Sequence, residues 1–153
     1  MIKPSLFLRI AAVMTLIHAV LHTVGGVFGD AGPGPAAAAV LAMKMNQFPL
    51  MGHTRSFWDF YRGMGLTVTI SLTAEAIVFW HLGSLAKLDA RRLLPILVTF
   101  LVAYSVLAVN SYTYFFLGPV IAEILIAACL GLAIFTAKSQ SGELCRDGAA
   151  GLI

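Results

Sequence analysis

The chain has 153 residues, 59% of them hydrophobic and 11% charged, and its mean hydropathy is +0.91. Soluble domains carry about 25% charged residues, so there is too little charge here to cover a water-facing globule. The formal charge of +3 is scattered over segment ends with no basic stripe, which argues against nucleic acid and for membrane topology signals.

The two cysteines, Cys129 in an apolar run and Cys145 near the C-terminus, form neither a disulfide framework nor a CxxC motif. Lys3 and Arg9 ahead of an apolar run resemble a signal peptide. However, the run carries His18 and His22, and no A-x-A-like site follows it, so it reads as a retained span.

Four segments are long enough to cross a hydrocarbon core about 30 Å thick, which takes about 20 helical residues. The first is predicted over Leu6 to Val27, with Pro4 and Ser5 at its start and Gly25, Gly26 and Gly29 at its end. The Gly-Pro-Gly-Pro run at Gly32 to Pro35 is a turn signal, and Ala36 to Phe48 reads as a short apolar helix in the membrane interface or capping the helices. Met51 to Gly65 (MGHTRSFWDFYRGMG) is the most polar stretch and leads into the second span, Phe57 to Leu85. A short basic connection, Gly83 to Arg92, precedes the third, Leu93 to Ser111. An aromatic turn, Ser111 to Pro119, precedes the fourth, Gly118 to Ala137, and the residues from Ser139 onward read as a flexible tail.

With the N-terminus inside, Lys3, Arg9, Lys87, Arg91, Arg92, Lys138 and Arg146 are cytoplasmic and Lys44, Arg55 and Arg62 external. That bias supports both termini inside, as four spans require. The expectation is an all-α, four-helix transmembrane bundle over 1–138 with a cytoplasmic tail over 139–153, multi-pass in a bacterial inner membrane.

Polar groups at membrane depth are costly and face the protein interior, a wet cavity or each other. Thr15, His18, His22 and Gly25 share one face of the first helix. Thr67, Ser71 and Glu75 share one face of the second, where hydroxyls commonly bond their own backbone. An ionised Glu75 at mid-span would be expensive, so it is expected to be protonated or paired. Asp59 and Arg62, three apart, can pair, and Trp58 and Tyr61 suit an interfacial belt. By helical rise, Asp59, Arg62 and Asn110 ring an outer mouth. His22 and Glu123 lie about 7 Å down, and His18 and Glu75 lie nearer the centre.

Three readings follow. In the first, Glu123 or Glu75 is a proton donor and His22 a base for a lipophilic small molecule: isomerisation, epoxide opening or cyclisation. Around them, His18, Trp58, Asp59, Arg62, Asn110 and Tyr114 line the binding site. In the second, the polar groups are packing glue in an accessory subunit of a larger membrane complex, with a second copy or other membrane chains as partners. In the third, His18, His22 and a carboxylate hold a metal, although the His-Glu-x-x-His pattern is missing. The first is preferred, with membrane lipid or a lipophilic molecule as partner and no cofactor or metal.

LRIAAVMTLIHAVLHTVGG at the start, RSFWDFYRGMGL entering the second helix and SYTYFF before the fourth resemble a family of small, uncharacterised bacterial four-helix membrane proteins. The resemblance covers most of Leu8 to Ala137. It is carried by His22, Gly25, Arg55, Trp58, Asp59, Tyr61, Arg62, Gly63, Gly65 and Tyr114, and it implies four spans without an activity. A looser likeness is to sterol-isomerase-type bundles, whose acidic and histidine residues face a lipid-filled cavity.

Overall fold

The computed structural model describes residues 3–150, with side chains described for 3–139. The expected flexible tail at 139–153 lies, beyond Ser139, outside the residues described to side-chain level. The elements in order are α1 (Pro4–Leu21), continued by a π-helical segment (His22–Val27), α2 (Pro35–Met45), β1 (Gln47–Leu50), β2 (His53–Ser56), α3 (Phe57–Asp89), a 3-10 turn (Arg91–Leu93), α4 (Leu94–Tyr114) and α5 (Leu117–Ala150). Four helical stretches are long and apolar enough to cross a membrane: Pro4–Val27, Phe57–Asp89, Arg91–Tyr114 and Leu117–Ser139. The short apolar helix of the first loop is α2, with Pro35 in its first turn.

Three helices run past their predicted ends, α5 continuing to Ala150. α3 continues through Lys87 to Asp89 because no breaker interrupts it. The chain turns at Asp89, whose Oδ1 accepts from the backbone N–H of Arg91 (3.1 Å) and Arg92 (3.3 Å). This leaves Ala90 and the 3-10 turn as the whole connection. α4 likewise continues through SYTY to Tyr114, leaving Phe115 and Phe116 as the linker.

The fold is mostly helical but not entirely so. β1 and β2 form an antiparallel hairpin, register Gln47↔Ser56 to Leu50↔His53, where a loop was expected. Its two-residue turn is Met51–Gly52, both at positive φ (47° and 83°). Two left-handed residues match the twist of the flanking strands, and glycine takes one of them without strain.

The chain divides into two compact units, one comprising residues up to His18 and from Ala74 onward, the other Ala19–Thr73. The first unit packs parts of all four long helices around one core. Leu8, Ala11 and Ala12 of α1 meet Phe79, Leu82 and Ala86 of α3, Leu97 and Tyr104 of α4, and Ile126, Leu130 and Ala133 of α5. On α4 the buried positions are Leu97, Tyr104 and Ser111, a seven-residue repeat that keeps a single narrow seam inward. The other faces carry exposed apolar side chains such as Ile17, Val102 and Phe135. Helices apolar all round in this way suit lipid rather than water.

In the second unit α3 approaches the π-helical segment closely at Gly65. A Cβ there would stand 2.8 Å from Val27 Cγ2, whereas one at Gly63 would meet nothing within 4 Å. Val27 is β-branched and buried, so it cannot swing aside. Gly65→Ala is expected to cost about 1–3 kcal/mol by overpacking and to lower the melting temperature in detergent. Gly63→Ala should leave it unchanged or slightly raised, and equal losses at the two positions would refute the close approach.

Candidate functional site

Within the first unit, the seam of α4 gathers the carboxyls. The Tyr104 hydroxyl donates to Glu75 Oε2 at 2.6 Å, and the buried Thr15 lies beside the same phenol. Seven residues on, about 10 Å along the helix, the Ser111 hydroxyl donates to Glu123 Oε1 at 2.9 Å. Glu75 comes from α3 and Glu123 from α5, so one helix face offers a hydroxyl to a carboxyl from each of two neighbours. Glu75 is therefore paired, one of the two outcomes expected for it. Glu123 is 6% exposed, and its Oε2 is buried with no hydrogen-bond partner. The ring of Phe79 closes the Tyr104 end, with centroids 6.0 Å apart, and Phe100 packs edge-on against Phe79.

Asn110, expected at the mouth of a pocket, is exposed, and Tyr114 is 75% exposed. The α4 residue that meets Glu123 is Ser111, one position on from Asn110. Counting by sevens from Leu97 and Tyr104 would have found it. Between α4 and α5 of this unit runs an open apolar groove of about 480 Å³, lined by Ser105, Ala108, Val109, Tyr112, Val120, Ile124 and Ala127. Glu75, Asn110 and Glu123 are not part of its lining.

In the second unit His22 opens the π-helical segment, where Phe28 N–H bonds the Thr23 carbonyl five residues back. Its Nε2–H donates to the Gly65 carbonyl at 3.0 Å, while its Nδ1 side lies over Gly26. A neutral imidazole used this way keeps Nδ1 as its acceptor. Thr23 and Thr69 join the same contact at 2.9 Å, and the Tyr61 hydroxyl donates to the Gly26 carbonyl at 3.1 Å. His22 is thus a tie between α3 and the end of the first span.

Asp59 and Arg62 do not pair. The Asp59 carboxylate accepts from the Ser56 N–H (2.7 Å) and hydroxyl (2.8 Å), and Asp59 N–H returns a bond to Ser56 Oγ (3.2 Å). This is a capping box on the first turn of α3, written in the sequence as Ser-x-x-Asp. Arg62 lies over the Phe28 ring at 4.9 Å. Trp58 stacks on Tyr61 with centroids 5.3 Å apart and carries Lys44 Nζ 4.9 Å above its ring. His18 lies on the half-buried part of α1 in the first unit. Among the described residues, no group of three or more His, Cys, Asp or Glu side chains gathers as a metal ion would need.

No protein-family model, curated protein or solved structure matches the chain. What the structure adds to the family resemblance is the four long apolar helices. Ser56→Ala should cost about 1 kcal/mol through the lost cap. The melting-temperature shifts of Asp59→Ala and Arg62→Ala should simply add in the double variant, and a double shift well below the sum would reinstate the ion pair.

Proposed function

We propose that the chain is a multi-pass protein of a bacterial inner membrane, with both termini cytoplasmic, that binds a lipophilic small molecule and moves a proton on it through Glu123. The observation that carries this reading is Glu123 Oε2, a carboxyl oxygen buried among apolar helices with no partner. An unmet buried polar atom costs about 1–3 kcal/mol, which packing alone gives no reason to keep. A hydroxyl, carbonyl or epoxide oxygen on a ligand would meet it.

The partner groups support the assignment. Ser111 holds Oε1 and so orients the carboxyl, leaving Oε2 without a partner in the protein. The apolar body of such a molecule suits the groove that runs along the same two helices, where Val120 and Ile124 flank Glu123 in sequence. The Tyr104–Glu75 pair provides a second hydroxyl–carboxyl couple two turns away on the α4 seam. Proton transfer of this kind covers double-bond isomerisation, epoxide opening and cyclisation. His22 is assigned a structural role, because its Nε2 is committed to the Gly65 carbonyl.

Mass spectrometry of an organic extract of the native protein in mild detergent tests the reading. A defined lipid-like species should accompany the wild type and fall by about tenfold or more in Glu123→Gln, as loss of a charge-assisted or acid hydrogen bond predicts. Equal retention by Glu123→Gln and the wild type would remove Glu123 from the site. A stoichiometric protein partner with no bound small molecule would replace the proposal with that of a complex subunit.

A further inference from the structure

We infer that Arg9 and Trp80 form a binding site for the phosphate of a membrane phospholipid. Arg9 is the sixth residue of the Pro4–Val27 span, about 7 Å of helical rise in from Pro4. A guanidinium cannot discard its proton, so it stays charged at that depth. A charge on a spanning helix requires an anion or water.

The side chain is held in place. Its stem lies against Gly83, where a Cβ would come within 3.2 Å of Arg9 Cγ and 3.3 Å of the Ser5 carbonyl. Its guanidinium sits 4.7 Å over the Trp80 ring, an arrangement that favours the cation without neutralising it. Its Nε is buried and has no hydrogen-bond partner.

Among the described side chains, none forms an ion pair with it. Among the residues of this unit whose side chains are described, 3–18 and 74–139, the carboxylates are Glu75, Asp89 and Glu123. Asp89 pairs with Arg92 at 2.9 Å, while Glu75 bonds Tyr104 and Glu123 bonds Ser111 through one oxygen, and neither glutamate forms an ion pair with Arg9. The surroundings add positive charge instead: Lys3 precedes α1, Lys87 lies in the last turn of α3, and Arg91 and Arg92 form the turn that follows. A fixed, unpaired guanidinium at a basic end of apolar helices is suited to an anion delivered from the lipid phase. Trp80, 46% exposed, has the amphipathic ring found at headgroup level. Phosphate oxygens match the guanidinium fork, and anionic headgroups concentrate at basic membrane faces.

The test uses the full chain in a neutral detergent, with phosphatidylglycerol, diacylglycerol (the same chains without phosphate) and inorganic phosphate as probes. Adducts are counted by native mass spectrometry, and melting temperatures are measured in parallel. Phosphatidylglycerol should be retained and should raise the melting temperature, whereas diacylglycerol should do neither. Arg9→Gln should weaken retention about tenfold or more, and Lys87→Gln, an exposed cation, should change it little. Arg9→Lys keeps the charge but loses the fork and the ring contact, so it should fold and still bind several-fold more weakly. Protection by inorganic phosphate alone that depends on Arg9 would identify the source as free phosphate and overturn the lipid assignment. Equal retention by the wild type, Arg9→Gln and Arg9→Lys would overturn the site.

Discussion

A polar group on a helix that faces lipid must find its hydrogen bond inside the protein, and most of the internal order here follows from that requirement. The hydroxyls meet it locally. Thr67, Thr73, Thr99, Ser105, Thr113 and Thr136 each donate to the carbonyl four residues back on their own helix. Such bonds hold nothing but the helix itself. A carboxyl cannot do this, because backbone N–H groups in a helix are already engaged. Glu75 and Glu123 therefore reach to α4, and the two hydroxyls they find, Tyr104 and Ser111, share its one buried seam. The same face that carries the apolar knobs also carries the polar contacts between helices.

The long helices were legible because length and apolarity are properties of whole segments. So were the fates of the threonines and the expectation that Glu75 be protonated or paired, since both follow from the cost of an unmet group. Finer features were lost where two local rules competed. Asp59 has Arg62 three residues ahead and Ser56 three residues behind, and charge alone favours the arginine. The backbone N–H at a helix start needs an acceptor more than a half-buried arginine lying over the Phe28 ring does, and the cap prevails. Asn110 looked like the polar residue of α4 because amides draw attention in an apolar run, yet the seven-residue seam turns it outward and Ser111 inward. The hairpin was missed because Met-Gly is a weak turn signal and Pro49 argues against a strand, although proline is tolerated on an edge.

Among the described side chains of the first unit, Glu123 and Arg9 are two ionisable groups that their neighbours do not fully satisfy, and they differ in kind. Glu123 is buried with one oxygen already bonded to Ser111, so its remaining need is a single hydrogen bond. Arg9 is charged under all conditions, so its need is for an opposite charge. A molecule with a small polar head suits the first and an anionic headgroup the second. One apolar scaffold can serve both, because each depends on a single side chain fixed by its immediate neighbours: Ser111 for Glu123, Trp80 and Gly83 for Arg9.

Ser56 belongs to two structures at once, as the last rung of the hairpin opposite Gln47 and as the cap of α3. Strand and helix are therefore geared together with no slack between them. Inserting one residue in β2 would advance the helix by about 100° about its axis. Gly65 would then turn its bare face away from Val27 and swing a neighbouring side chain into the gap. The hairpin outside the spans thus works as an indexing device, setting the rotational phase of the helix that follows it.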